Sequence, residues 1–364
     1  MKKIVFVIER LSTGGAERVV AALANDICER NGYEVYVYTY LPKEENEYYL
    51  KPKINRIEIP KTDFSRFRTI YFKYKFLRKE LKKLNPYCVY SLSIPKTNVV
   101  LSAALRDRKF PLIISERNDP ARFPSGKIMR ILRNWTYRSC DGLVFQTPGA
   151  MNYFPKGINK KGVVISNPLT TTLPERYTGV RQSRIVNFCR IEPQKNLKLL
   201  INAFAKVLSE FPEYTLDIYG EGSEKETLKE YVKKLGIDEK VIFHNFSVNI
   251  HQEILKAAVF VSSSDFEGIS NSMLEAMAIG IPTICTDCPP GGARATIRNE
   301  ENGILVPVGS VEELTTAIKK VLSSEELMKK LSINSSKIKE ELNVKNIAEK
   351  WLVMAEEVRK RGNN

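Results

Sequence analysis

Two doubly wound α/β halves are the architecture this sequence predicts, and three observations carry it. Short apolar strands alternate with amphipathic helices along almost the whole chain, the pattern of a parallel sheet covered on both faces. The alternation breaks once, over 167–184, into Pro-, Thr- and Gly-containing sequence, and then resumes. Each half also opens a helix on a glycine turn directly after a strand: Gly14-Gly15 in the first, Gly220-Glu221-Gly222 in the second. The 364 residues have room for two domains of ordinary size. We place them at 1–170 and 171–342, with 343–364 as a helix packing back on the first.

The elements follow in order. The start, Met1-Lys-Lys-Ile-Val-Phe-Val-Ile, has an apolar run of five residues. That is too short for the core of a signal peptide and reads as a first buried strand, 3–8. A helix runs from the glycine turn through 30, and 34–40 is a strand. A basic segment leads to strands at 87–92 and 112–115, with a helix near 97–105 between them. A helix at 127–138 precedes strands 142–146 and 162–166. Beyond the linker, strands at 185–188, 215–219, 241–243, 258–262, 283–285 and 304–306 each bring a helix. The last helix, 344–359, is long and amphipathic.

Composition narrows the class. A hydrophobic fraction of 43% and a charged fraction of 27% are those of a globular protein. No apolar run is long enough to span a bilayer, so the sequence predicts a cytoplasmic protein. The six cysteines are scattered, and Cys285-Thr-Asp-Cys288 lacks the second pair or histidine that a zinc site needs; a structural thiol pair is the better reading. Two histidines support neither a metal centre nor a Ser-His-Asp triad.

The net charge of +15 is unevenly placed. Residues 1–170 hold 31 Lys and Arg against 15 Asp and Glu, so the whole excess lies in the first half. It concentrates between Lys61 and Lys83, where nine basic residues face two acidic ones among Phe64, Phe67, Tyr71, Phe72, Tyr74 and Phe76. Basic and aromatic residues at near-helical spacing fit a membrane interface that attracts anionic lipid. The same stripe would also suit a helix packed on a core. A nucleic-acid surface is the weakest reading, because charge alone supports it.

The chemistry-bearing residues sit in two strand-to-helix loops of the second half. In Asp265-Phe-Glu267-Gly268-Ile269-Ser270-Asn271-Ser-Met-Leu-Glu275, Glu267 lies in a glycine-containing loop and Glu275 in the opening turn of the next helix, which Ser270 or Asn271 can cap. Backbone N–H groups and the helix dipole there favour a phosphate, while carboxylates on either side accept hydrogen bonds from sugar hydroxyls. Acids in a first turn also stabilise a helix and often do nothing more. A second run, Phe188-Cys-Arg190-Ile-Glu-Pro-Gln-Lys195-Asn, tips the balance. It places Arg190 and Lys195 at the carboxyl end of a strand, where open α/β sheets bind ligands and where the two cations can grip phosphate oxygens. Together the two runs read as a site for a sugar attached to a diphosphate. The glycine turns let backbone approach a ligand, but neither completes a dinucleotide fingerprint. A nicotinamide-dependent oxidoreductase is therefore the weaker alternative.

These motifs resemble those of the glycosyltransferase group 1 family (family 4 of the sequence classification), retaining enzymes with the two-domain GT-B fold facing across a cleft. The resemblance rests on Gly14-Gly15-Ala-Glu17-Arg18, Arg190 with Lys195, Gly220-Glu-Gly222, Glu267-Gly268 through Glu275-Ala-Met-Ala-Ile-Gly280-Ile-Pro282, and Asn302-Gly303-Ile-Leu-Val-Pro307. It spans essentially the whole chain and implies a role for each matching position. Arg190 and Lys195 would bind the donor diphosphate, Glu275 the ribose, and Glu267 the donor sugar. The amides of Ile269, Ser270 and Asn271 beside Gly268 would meet the β-phosphate or sugar. Gly14 and Gly15 would approach the phosphates across the cleft, Gly222 would lie along the donor site, and the base would lie near 243–246, against Phe246. Where many members have a histidine, this chain has Glu116, as do some relatives that build bacterial surface glycans. That carboxylate is expected to orient donor sugar or acceptor, or else to pair with Arg117.

The resemblance also implies a reaction. A sugar passes from a nucleoside diphosphate, expected to be UDP, to a hydroxyl of a glycan or polyprenyl-diphosphate-linked acceptor in surface polysaccharide synthesis. No metal and no cofactor are expected, nor any nucleic-acid partner. Membrane contact through 61–83 would place the enzyme at the inner face of the cytoplasmic membrane. The alternative enzyme is a nucleotide-sugar epimerase of the same fold; a catalytically silent subunit is a further one.

Overall fold

A computed structural model describes residues 1–12, 14–169 and 172–363. They form two compact units, Met1–Pro168 with Asn343–Asn364, and Leu169–Leu342. The boundary expected at 170/171 falls on residues outside the described ones.

Unit 1 is built on β1 (Lys2–Ile8), α1 (Gly15–Ile27), β2 (Tyr33–Thr39), β3 (Asn55–Glu58), α2 (Arg66–Leu84), β4 (Cys88–Ser91), α3 (Pro95–Ala104), β5 (Leu112–Glu116), α4 (Lys127–Ser139), β6 (Gly142–Phe145), the short helices α5 (Pro148–Asn152) and α6 (Lys156–Asn159), and β7 (Gly162–Val164). Its seven strands are all parallel, in the order β3-β2-β1-β4-β5-β6-β7. Strands buried on both faces need apolar side chains throughout, and Ile4-Val5-Phe6-Val7-Ile8 of β1 are all fully buried.

Unit 2 repeats the scheme with β8 (Gln182–Phe188), α7 (Leu197–Val207), β9 (Thr215–Tyr219), α8 (Lys225–Lys234), β10 (Val241–His244), α9 (Ile250–Ile254), β11 (Ala257–Ser262), α10 (Asn271–Ala278), β12 (Thr283–Thr286), β13 (Ile304–Val306), α11 (Val311–Leu322), α12 (Glu325–Ser336) and α13 (Ile338–Glu341). Its six parallel strands run β10-β9-β8-β11-β12-β13. The core is made by Ile185, Leu216, Ile218, Val259 and Val261 of the sheet against Leu200, Phe204 and Ile318 of its helices. Strand order reverses between β8 and β11, which pair directly. At such a reversal the helices after the two strands leave on opposite faces, opening a crevice at the carboxyl ends. The loops that carry Arg190 and Glu267 are therefore neighbours.

The last helix, α14 (Val344–Asn363), belongs to unit 1. Its Trp351 is buried edge-on to Tyr90, whose hydroxyl donates to the Trp351 carbonyl at 2.6 Å. A Cβ at Gly142 would come within 2.7 Å of Met354 Cε, so β6 carries glycine where α14 lies against the sheet.

The basic aromatic segment divides along its length. In α2 only Leu77 and Leu81 are fully buried, with Tyr74 and Phe76 packed partly against the core. Toward its start Phe64, Phe67 and Tyr71 are exposed, Phe67 to 84%. The packed-helix reading holds for the second half of the stripe, and the first half is exposed. No helix among the described residues is long and apolar enough to cross a membrane.

Candidate active site

The loop after β8 is shaped by hydrogen bonds that begin in its own sequence. Pro193–Lys195 makes one 3₁₀ turn, and Asn196 follows in the left-handed region at φ 42°, ψ 49°, a conformation asparagine tolerates better than most residues. Its side chain caps α7 by accepting from Leu199 N at 3.2 Å. The same side chain donates to Asp265 at 2.8 Å in the loop after β11. Gln194 donates to the Phe266 carbonyl at 2.7 Å, Asp265 N donates to the Gln194 carbonyl at 3.0 Å, and the Ser263 hydroxyl lies 3.0 Å from the carbonyls of Lys195 and Asn196. Five contacts thus stitch the two loops into one scaffold.

On that scaffold Lys195 is ion-paired with Glu267, both largely buried. Burial alone would push the ammonium down, but the Glu267 charge outweighs it and holds Lys195 above the usual lysine value. Glu267 is also held from its backbone, which donates to the Pro289 carbonyl at 2.9 Å. A cavity of about 10 Å³, close to the space of one water, lies beside it among Ser264, Gly268, Ser270 and Cys288. Arg190 is exposed, and among the described residues no hydrogen bond or ion pair engages its guanidinium. Its charge is nonetheless felt by Lys195, so the two cations share one neighbourhood. One is fixed and one is free.

The helix that follows confirms one expected cap and corrects one position. Ser270, not Asn271, is the N-cap of α10, accepting from Met273 N at 3.4 Å. Ile269 and Ser270 are buried beside it. Glu275 is the fifth residue of α10, one turn deeper than the expected opening turn, because the helix starts only at Asn271. There the carboxylate is buried and meets His251 Nε2 at 3.0 Å. His251 comes from α9, far along the chain, and nothing in the local sequence announces the contact. The other histidine, His244, likewise meets a buried acid, Asp217, at 2.6 Å.

The second glycine turn lies tight against the chain's own backbone. A Cβ at Gly222 would sit 2.1 Å from the Ile191 carbonyl oxygen, and one at Gly220, where φ is +145°, would sit 1.9 Å from that of Cys189. The backbone these glycines approach is the chain's own, at the segment carrying Arg190. They place that arginine indirectly. Phe246 is well exposed on the loop after β10. That loop is pinned by Lys225, a buried lysine the sequence reading missed, which donates to Asn245 Oδ1 at 2.9 Å and to the His244 carbonyl at 3.2 Å.

In unit 1, Gly14 and Gly15 stand at the start of α1, with Gly14 as an extended N-cap. Glu17 in its first turn feels the charge of Arg117, which brings the loop after β5 beside the glycines. Burial lowers the Arg117 guanidinium to about 10. Glu116, expected to orient donor sugar or acceptor, points inward in the structure. Its carboxylate is buried and spent on the protein, accepting from Arg117 N at 3.0 Å, Asn118 N at 3.1 Å and the Tyr137 hydroxyl at 2.9 Å. Arg117 turns away from it to Asn167. Glu116 thus ties the loop after β5 to α4 through its own carboxylate.

Substitutions separate that role from chemistry. Burial raises the Glu116 carboxyl above its usual value. A raised folded-state value contributes stability that is complete below the unfolded value and is lost as pH rises through the folded one. Glu116→Gln keeps the acceptor for both amides, so it should retain most activity and gain in Tm over wild type more at pH 8 than at pH 4. Glu116→Ala leaves three donors unsatisfied and should cost about 3 kcal/mol. Loss of turnover in the well-folded Gln variant would return Glu116 to the chemistry.

Among the described residues no group of three or more His, Cys, Asp or Glu is arranged to hold a metal ion. The six cysteines are free thiols, and burial raises Cys288 to about 11.

Two family models match, "Glycosyltransferase Family 4" over residues 13–173 and "Glycosyl transferases group 1" over 179–338. The chain is 29% identical to a Campylobacter jejuni enzyme described as a GalNAc-α-(1→4)-GalNAc-α-(1→3)-diNAcBac-PP-undecaprenol α-1,4-N-acetyl-D-galactosaminyltransferase, over 99% of each chain. It is 26% identical to the amylovoran biosynthesis glycosyltransferase AmsD of Erwinia amylovora, over 90% of this chain and 92% of that one. Among solved structures, Anabaena HepE in complex with UDP-glucose superposes with a TM-score of 0.79 at 18% identity, over 99% of this chain and 100% of that one, which shows the GT-B fold. With matching models over both halves and the expected motifs at the carboxyl ends of β8 and β11, the chain belongs to the group 1 glycosyltransferases.

Proposed function

We propose that this glycosyltransferase moves a sugar from a UDP-linked donor to a hydroxyl of a glycan carried on a polyprenyl diphosphate, with retention of anomeric configuration, in bacterial surface polysaccharide synthesis. One observation carries the reading. A free arginine and a carboxylate-held lysine share the loop after β8, where the strand order reverses beside β11, the place an α/β sheet offers a phosphorylated ligand. When the bond between the anomeric carbon and the diphosphate oxygen breaks, negative charge grows on the leaving group. Arg190, Lys195 and the first amides of α10 answer that charge. The acceptor oxygen bonds to the same carbon as its proton passes to the departing diphosphate. Glu267 and Glu275 supply acceptors for hydroxyls of the sugar and ribose. The relative that names an undecaprenyl diphosphate acceptor and the neighbour that binds UDP-glucose support the choice of substrates. The exposed basic and aromatic start of α2 supports peripheral contact with an anionic membrane surface.

Thermal unfolding with UDP, GDP, ADP and their sugars tests the donor. At one hundred times its Kd a ligand stabilises by about 2.7 kcal/mol, so UDP should raise Tm by roughly 5–10 °C. No response to any nucleoside diphosphate would overturn the reading. Incubating the donor alone separates the rival enzyme, since an epimerase changes the sugar without an acceptor.

A further inference from the structure

Helix α4 is inside out. Its fully buried residues are Arg133, Thr136 and Tyr137, whereas Ile128 and Ile131 are 74% and 67% exposed and Trp135 is 40% exposed. Positions 128, 131 and 135 fall on one stripe of a helix, with half-buried Leu132 at its edge and Phe123 exposed just before it. The inner face explains the inversion. Tyr137 donates to Glu116, Arg133 to the carbonyls of Pro120 and Phe123 at 2.8 and 2.9 Å, and Arg130 to those of Pro124 and Ala121, both at 2.7 Å. The Arg133 guanidinium also lies 4.8 Å from the centre of the Phe154 ring. This face is spent holding the 116–124 loop, so the apolar residues are not there to fill the core.

The charge beside the stripe selects its occupant. Residues 120–140 contain five Arg and Lys and no acid, and Arg122, Lys127 and Arg138 are exposed around the stripe. An apolar stripe flanked by cations, with a tryptophan on it, has the make-up of an interfacial helix on anionic lipid. We infer that α4 is a membrane-docking helix, distinct from α2, whose Ile128, Ile131 and Trp135 enter the interface of an anionic bilayer while its inner face fixes the Glu116 loop. This goes beyond the α2 contact proposed above and does not require it.

The full chain should co-sediment with vesicles of equal parts phosphatidylglycerol and phosphatidylcholine. Substituting Ile128→Ser, Ile131→Ser and Trp135→Ser together should weaken that partitioning by about tenfold or more, while UDP still raises Tm. These side chains are exposed, so the fold should survive. The chain has two tryptophans, and Trp351 is 1% exposed, so a blue shift of emission on adding vesicles reports Trp135. Charge reversal at Lys61, Arg66, Arg68 and Lys75 serves as the parallel arm. If that variant alone loses the vesicles, α2 is the contact and the α4 inference falls; if the α4 variant alone loses them, the α2 reading falls. Vesicle binding unchanged in the α4 variant, an unshifted Trp135 emission, or self-association that the α4 variant abolishes without any vesicle binding would each overturn the inference.

Discussion

Arg190→Ala should lower turnover by about 10²–10³-fold, the usual effect of removing one preorganised donor from the oxygen that gathers charge, while leaving Tm within about 2 °C of wild type. Stability and activity separate here because of what the side chain touches. It is exposed, and no hydrogen bond or ion pair among the described residues engages it; substitutions of that kind usually stay within about 0.5 kcal/mol. Arg190→Lys should recover only part of the rate, since an ammonium cannot grip two oxygens in one plane. Steady-state kinetics with the donor that passes the thermal screen, beside an unfolding curve for each variant, makes the check. A full-rate alanine variant would remove the cation from the chemistry. A wild type that is itself inactive would favour the silent subunit.

The second large effect concerns the partner cation. Lys195→Met removes one member of a largely buried ion pair and strands the Glu267 carboxylate. Breaking such a pair from one side costs about 3–5 kcal/mol, or roughly 6–20 °C in Tm, besides lost turnover. The double change Lys195→Met with Glu267→Met should regain much of the stability and none of the activity, because no charge is then stranded. The pH dependence has a fixed sign. The folded-state value of Lys195 is raised above that of an ordinary lysine, so the pair's contribution is complete below the ordinary value and fades as pH rises past the folded one. The Tm gap between wild type and the methionine variant should be flat through neutrality and narrow only at strongly alkaline pH. A gap that closed near pH 7 would mean that another group holds Lys195.

The two glycine turns show where local pattern stops being informative. At Gly14 and at Gly222 the sequence offers one cue, backbone that can come close to something. For Gly222 that something is the Ile191 carbonyl, which no spacing rule identifies, because residues 191 and 222 meet only after β8 and β9 pair. Glu116 is a second case of partners that the local pattern does not show. A polar residue at the carboxyl end of a strand looks aimed at a ligand, yet the Tyr137 hydroxyl and two amides turn it inward. Glu275 lies in the expected helix but one turn deeper than its spacing predicts. Helix ends depend on which side chain wins the cap, and Ser270 won it over Asn271.

By itself the sequence determined the α/β alternation, because apolar periodicity is written within a dozen residues and each strand needs only its own side chains to be read. It determined which loops carry cations and carboxylates as well, since strand and helix ends bracket them. Tertiary structure alone set β8 beside β11, and with it the joining of Lys195 to Glu267. It also decided that α4 turns its apolar stripe outward. Those outcomes depend on hydrogen bonds and charges between residues distant in the chain, whose partners exist only once the sheet has assembled.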